Sequence, residues 1–268
     1  MKSYSDSNPE EDSEEPGAEM SFLDHLGELR QRVIKVILIV LVMMGVSFIF
    51  SNEIIKFLLN PPILLPDLKP PMQLMRPVIT QVQGLMVVKL QIGLIAGIVL
   101  SLPVILYQIW RFISPGLKKK ERRFAFPIIL SSIVFFLAGA AFAFLIVIPI
   151  TLNFLLTMGN IDAELGIVIE NMIDIDQYLG FVSGFMLITG ITFQLPVISF
   201  FLTRIGVLSS RFMRKYWRHA VIVALTVSAI VTPTTDMITL FVIAVPIILL
   251  YEVSIWVSFV TERRKRKS

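Results

Sequence analysis

The chain has 268 residues, 55% of them hydrophobic and 16% charged, with a formal net charge of +4. Soluble domains rarely have this balance, whereas polytopic membrane proteins do. Cysteine is absent, which excludes disulfides, iron–sulfur clusters and thiolate metal sites.

The first 20 residues differ from the rest in charge. They carry seven acidic side chains against Lys2 alone, so the remaining chain has a net charge of +10. This segment has neither the apolar stretch of a secretory signal nor the arginine-rich composition of an organellar transit peptide. We therefore predict a disordered acidic tail over residues 1–20, a six-span domain over 21–260 and a basic tail over 261–268.

Six apolar segments predict membrane-spanning helices, because a helix needs about 20 apolar residues to cross the hydrocarbon core. A short interfacial helix over 21–32 is expected before them. In chain order the six segments are Val33–Phe50, Leu85–Trp110, Phe124–Pro149, Tyr178–Leu202, Ala220–Val231 and Met237–Phe259. The fifth would be only about 18 Å long. Such a span either thins the adjacent bilayer or is shielded by neighbouring helices, and both interpretations stay open.

The distribution of Lys and Arg predicts the orientation. Connections 111–123 and 203–219 and the C-terminus are rich in Lys and Arg, whereas 150–177 and 232–236 contain none. Six spans with both termini in the cytoplasm or stroma satisfy the positive-inside rule. The first outer connection is ambiguous in charge, and its prolines, Pro61 among them, predict a stiff cap.

The end of the second span and the loop after it form the most informative block, LPVILYQIWRFISPGLKKKERR over 102–123. Tyr and Trp favour the membrane–water interface, so this block fixes the depth of the chain. The helix is expected to break at Pro115. The loop beyond has one carboxylate, Glu121, among five basic residues, which solubility alone does not explain.

Five motifs occur in order along this scaffold. They are FLDHLGELRQR (22–32), the 102–123 block, GAAFAFLIVIP (139–149), TFQLPV (192–197) and TPTTD (232–236). Together they resemble the TatC family, the polytopic core of the twin-arginine protein translocase, over residues 20–260. The FQLP and TPTTD forms look most like its cyanobacterial and plastid branch.

The resemblance implies an all-α membrane protein of six helices, glove-like and concave, with short fifth and sixth spans. It implies a bacterial inner membrane or thylakoid location. The implied function is a non-enzymatic receptor that binds Arg-Arg signal peptides and exports folded proteins using the proton-motive force. The implied partners are single-span TatA- and TatB-like subunits, further copies of the chain itself, and membrane lipid.

The family's signal-binding residues map onto Glu28, Glu121 and Phe112, with Arg30 and Arg122 nearby. A carboxylate suits this role because it accepts two parallel charge-assisted hydrogen bonds from a guanidinium. The structural alternative is that each carboxylate pairs locally, Glu28 with Arg32 one helical turn later and Glu121 with a neighbouring arginine.

Polar residues inside the spans are few. Gln194 occupies a position where the family often has Glu, between Thr192 and Pro196. Gln194 is expected either to hydrogen-bond between helices or to face a partner helix or inserted signal. Glu252 is expected to pair with Arg263 or with a neighbouring helix. Asp236 is expected to shape the turn before the sixth span.

The main alternative function is a small-solute or ion transporter. It predicts charged residues along a pathway at the membrane midplane or a repeat between the two halves. The spans offer only Gln194 and Glu252, and no repeat is evident. An intramembrane protease would need a paired Asp or a Ser–His pair. His25 and His219 are isolated and no ATP-binding motif occurs, so we expect no metal, cofactor, nucleic acid or catalysis.

Overall fold

Apolar helices account for almost all of the structure. It is a computed structural model and describes residues 22–59, 76–114, 125–158, 172–231 and 237–267. The helices are α1 (Phe22–Ile49), α2 (Ser51–Leu59), α3 (Gly84–Ile113), α4 (Ala125–Phe142), α5 (Ile148–Met158), α6 (Ile175–Thr192), α7 (Leu195–Ile205), α8 (Ser210–Lys215), α9 (Trp217–Val231) and α10 (Met237–Lys267). Two three-residue strands, β1 (Arg76–Val78) and β2 (Met172–Asp174), pair in parallel.

Five helical stretches are long and apolar enough to cross a membrane. They are Leu26–Ile49, Gly84–Ile113, Ala125–Leu155, Ile175–Ile205 and Met237–Lys265, and Trp217–Ile230 is a shorter apolar helix. The six predicted segments are thus confirmed as helices. Residues 22–32 do not form a separate interfacial helix as predicted, because α1 continues through them without a break.

The third and fourth stretches each combine two helices. A π-helical turn, Ala143–Val147, joins α4 to α5. Pro149 follows this turn and has no N–H to donate to it, and a wider turn tolerates that loss. The third stretch was predicted to end at Pro149, but the helix resumes and continues to Met158.

The fifth predicted span is short, as expected, because the helix that forms it, α9, has 15 residues. The sixth differs from the prediction, since α10 has 31 residues and includes most of the predicted basic tail. Glu, Arg and Lys are strong helix formers, so the helix does not stop where the apolar sequence stops.

Small residues let α1 approach α3 closely. A Cβ atom built on Gly97 would lie 2.6 Å from the backbone nitrogen of Met44, and one on Gly93 would lie 3.4 Å from the Met44 carbonyl oxygen. Such close contact between backbones is the usual way that membrane helices associate, because lipid provides no hydrophobic force between them. The packing of α1 therefore depends on these glycines.

The two ends of the bundle are distinct. We call one end the strand end, because β1 lies beside β2 there. At this end the Tyr178 hydroxyl donates to the Leu58 carbonyl at 3.2 Å. Pro61 lies outside the described residues. We call the other end the basic end. It contains the start of α1, the end of α3, α8 and the last turns of α10. At this end Trp110 of α3 packs on Phe201 of α7, with ring centroids 4.9 Å apart.

Candidate functional site

The start of α1 is joined to the end of α3 by a polar chain at the basic end. Glu28 forms an ion pair with Arg32, one helical turn later. Arg32 also donates from Nη1 to the side-chain oxygen of Gln108 on α3 at 3.4 Å. The local pairing predicted as the alternative for Glu28 is therefore confirmed.

This ion pair is only partly shielded. The side chain of Arg32 is 11% exposed and that of Glu28 is 25% exposed. A carboxylate has about four lone-pair positions, so one that already accepts from an internal guanidinium can also accept from a second one. The chain formed by Glu28, Arg32 and Gln108 is thus chemically suited to hold an incoming arginine.

Phe112 lies next to this chain along α3. It is half-buried and comes one helical turn after Gln108, so the two side chains share a face of the helix. Arg30 is exposed on α1, two residues beyond Glu28. Glu121, Arg122 and Pro115 lie outside the described residues. The roles predicted for all of these residues stay predictions.

The break inside the fourth stretch positions Gln194. Helix α6 ends at Thr192 and α7 begins at Leu195, and Pro196 supplies no N–H to the turn before it. Thr192 donates from its hydroxyl to the Ile188 carbonyl at 2.9 Å. The side-chain amide of Gln194 donates to the Ser132 carbonyl of α4 at 2.9 Å. The hydrogen-bonding interpretation of Gln194 is confirmed, and a contact with a partner helix stays a prediction.

We expect Gln194→Met to lower the free energy of unfolding by about 0.5–1.5 kcal/mol, because the side chain keeps its length but loses the donor to Ser132. The measurement is unfolding in mixed detergent micelles followed by circular dichroism. Gln177→Met, at the exposed start of α6, is the matched control. Equal stability of the two variants would show that the Gln194 amide does not hold α7 to α4.

Glu252 pairs with a neighbouring helix rather than with Arg263. Its carboxylate oxygen lies 3.9 Å from a guanidinium nitrogen of Arg214 on α8, and both side chains are well exposed. The guanidinium of Arg263 instead lies over the ring of Phe259, 4.3 Å from its centroid. Of the two predicted partners, the neighbouring helix is the correct one.

A second polar cluster, absent from the sequence predictions, holds α8 against α10. Ser210 donates to the two carboxylate oxygens of Glu262, from its backbone N–H at 2.9 Å and from its hydroxyl at 2.7 Å. The Tyr251 hydroxyl donates to the Met213 carbonyl at 2.8 Å. The sequence offered two separate signals for this cluster. One is the Ser-Ser pair at the start of α8, and the other is Glu262, an isolated acid at the start of the basic tail. Asp236 lies outside the described residues.

The arrangement defines a class of protein. Six apolar helical stretches enclose a packed core, and hydrogen bonds between side chains and neighbouring helices join several of them. No group of three or more His, Asp or Glu side chains within the described ranges is placed to hold a metal ion. The apolar helical stretches are typical of a polytopic membrane protein.

The chain belongs to the TatC family of Sec-independent protein translocase proteins, whose family model matches residues 24–246. A TatC from Aquifex aeolicus is 33% identical over 248 residues, covering 92% of this chain and 98% of the relative. The chloroplastic TATC of Arabidopsis thaliana is 35% identical over 255 residues, covering 91% of this chain and 68% of the relative. The predicted family is confirmed.

A crystal structure described as the twin-arginine translocase receptor TatC superposes with a TM-score of 0.77 at 31% identity. It covers 88% of this chain and 99% of the solved chain. A second structure of that receptor, in dodecyl maltoside (DDM), gives 0.76 at 32% identity, with 87% and 98% covered. The predicted six-helix fold is confirmed, and the chain is a membrane-embedded, non-enzymatic subunit of the Sec-independent protein translocase.

Proposed function

We propose that the basic end of this subunit is the receptor for the paired arginines of a twin-arginine signal peptide. Glu28 and Glu121 are the two carboxylate acceptors, Phe112 packs against the peptide, and Arg30 and Arg122 border the site. The observation that carries the proposal is that Glu28 already holds a guanidinium, that of Arg32, at a partly exposed position between α1 and α3.

Binding occurs by exchange of guanidinium groups. An arginine of the signal competes with Arg32 for the Glu28 carboxylate. Arg32 keeps its hydrogen bond to Gln108, so its charge is not left without a partner when the signal is bound. Because both partners are charged and partly buried, such a pair is stronger than a surface ion pair.

The same proposal gives the orientation of the subunit. Arg111, Arg204, Arg211, Arg218 and Arg263 all lie in elements at the basic end. By the positive-inside rule this end faces the cytoplasm or stroma, together with both chain termini. The signal peptide of a folded cargo protein approaches from that side, in a bacterial inner membrane or a thylakoid membrane.

The remaining partners bind within the membrane. Single-span TatA- and TatB-like helices contact the lipid-facing side of the bundle, where the break formed by Thr192, Gln194 and Pro196 shapes the surface. Further copies of the chain complete the receptor. The proton-motive force drives export, as the resemblance to the family implies.

Photocross-linking tests the receptor proposal. We expect a benzoylphenylalanine at position 112 to cross-link to a signal peptide that carries Arg-Arg and not to one that carries Lys-Lys, because only the guanidinium matches the carboxylate in two hydrogen bonds. The same photoreactive residue at Phe57, exposed near the strand end, is the control. Equal cross-linking of the two peptides from position 112 would reject twin-arginine recognition here and favour the transporter alternative.

A further inference from the structure

A groove of about 520 Å³ lies at the basic end, between α8 and the last turns of α10. Its rim is formed by three arginines from two elements, Arg211 and Arg214 of α8 and Arg263 of α10. Its floor includes the rings of Trp256 and Phe259. The groove therefore combines a strongly basic rim with an aromatic floor.

The arginines on the rim are available to a ligand. Arg263 is positioned by its contact with the face of Phe259, and a cation–π contact of this kind does not itself occupy N–H donors. Arg214 is 3.9 Å from Glu252, and its side chain is 71% exposed, so that pair is weak. Arg211 is exposed beside them.

The carboxylate within the groove, Glu262, offsets only one of the three arginine charges. Both oxygens of Glu262 accept hydrogen bonds from Ser210, at 2.9 and 2.7 Å. Those bonds hold the carboxylate at the start of α8 but leave its charge, so the three arginines and Glu262 together give the groove lining a net charge of about +2. In the part of the chain that the structure describes, the one ion pair that reaches the groove is that of Arg214 with Glu252.

The floor lies at the depth of the membrane surface. Trp256 is 67% exposed and Phe259 is 41% exposed, just before α10 enters its polar last turns. Exposed Trp side chains favour the boundary between lipid headgroups and acyl chains. The molecule that lies beside this boundary in a membrane is a phospholipid, whose phosphate would be level with the arginines and whose acyl chain would be level with Trp256.

We propose that this groove binds an anionic phospholipid, with its phosphate held by Arg211, Arg214 and Arg263 and the start of an acyl chain against Trp256. Guanidinium groups bind phosphate oxygens through paired charge-assisted hydrogen bonds. Basic clusters at a membrane surface select lipids without an ammonium group, because that group would be repelled by the arginines. The bound lipid holds α8 and α10 together at the membrane surface, in addition to Ser210 and Glu262.

Tryptophan fluorescence reports on the site directly. The chain has three tryptophans; Trp110 is 8% exposed, so in a Trp217→Phe background Trp256 is the tryptophan that lipid reaches. The protein is reconstituted in phosphatidylcholine vesicles that contain a minor fraction of brominated phosphatidylglycerol or of brominated phosphatidylcholine. We expect the brominated anionic lipid to quench at a lower mole fraction, by about fivefold for each arginine that contacts the phosphate.

Two variants of equal charge test the residues. Arg211→Gln/Arg263→Gln is expected to remove most of the preference for phosphatidylglycerol, whereas Lys215→Gln/Arg218→Gln, exposed on α8 and α9 outside the groove, is expected to keep it. Circular dichroism confirms that both variants are folded. Equal quenching by the two lipids, or equal loss of preference in the two variants, would overturn the proposal.

Free phosphate is the remaining alternative ligand. Inorganic phosphate, compared with chloride at matched ionic strength, is expected to leave the preference for brominated phosphatidylglycerol unchanged, because it lacks the acyl chain that contacts Trp256. Loss of the preference in phosphate alone would identify the groove as a site for the free anion and would overturn the lipid assignment.

Discussion

Glu28→Gln is expected to weaken the binding of an Arg-Arg signal peptide by about 1.5–3 kcal/mol, or about 10- to 150-fold in Kd. Glutamine keeps the size of the side chain and one acceptor oxygen but loses the charge and the second acceptor for a guanidinium. The measurement is a titration of fluorescently labelled signal peptide into the reconstituted protein, with the Lys-Lys peptide as the reference.

The matched control is Glu53→Gln on α2. Glu53 is an exposed acid near the strand end, so its loss changes the net charge equally but leaves the basic end intact. We expect the Kd of the control to equal that of the parent protein. If both variants weaken binding to the same degree, the effect comes from the overall charge, and Glu28 is not a contact of the signal peptide.

The variant Arg32→Gln distinguishes two roles of the Glu28–Arg32 ion pair. In one, a signal arginine replaces Arg32 at Glu28, and in the other the pair only stabilises the structure. If the signal arginine competes with Arg32 for Glu28, removing Arg32 removes this competitor, and the peptide should bind more tightly. If the pair serves only to hold α1 against α3 through Gln108, Arg32→Gln should weaken binding as much as Glu28→Gln does. Because the two roles predict changes of opposite sign in the peptide Kd of Arg32→Gln, this variant decides between them.

Periodicity and composition predicted what depends on local sequence. The six apolar segments are helices and the fifth is short, although the fourth, predicted as one span, is interrupted between Thr192 and Leu195 beside Pro196. The local pairing of Glu28 with Arg32 also followed from one helical turn of spacing. These features need no knowledge of the tertiary structure.

The features that the sequence did not predict depend on distant contacts. The carboxylate of Glu262 is held by Ser210, 52 residues earlier in the chain, and no spacing rule connects the two. Hydropathy gave the sixth helix an end at Phe259, because it measures apolar character, whereas α10 continues as a helix to Lys267. This continuation supplies Glu262 and Arg263 to the groove beside α8.

Gly97→Ala is expected to have the largest effect on the fold of any conservative substitution considered. The new Cβ would lie 2.6 Å from the Met44 nitrogen and 2.8 Å from its Cα, both backbone atoms that cannot rotate away. Helix α1 would have to move off α3, at a cost of about 1–3 kcal/mol. The measurement is the midpoint of unfolding in mixed detergent micelles, followed by circular dichroism.

Gly93, at the same interface, and Gly45, exposed on α1, form a graded series with Gly97. At Gly93 the nearest atom to a new Cβ is 3.4 Å away, and at Gly45 nothing lies within 4 Å. We expect Gly93→Ala to be close to neutral and Gly45→Ala to be stabilising by up to about 1 kcal/mol, because alanine is the better helix former. A displaced α1 would also separate Arg32 from Gln108, so Gly97→Ala should weaken signal binding and Gly45→Ala should not. Equal stability of the three variants would show that close backbone contact does not hold α1 to α3.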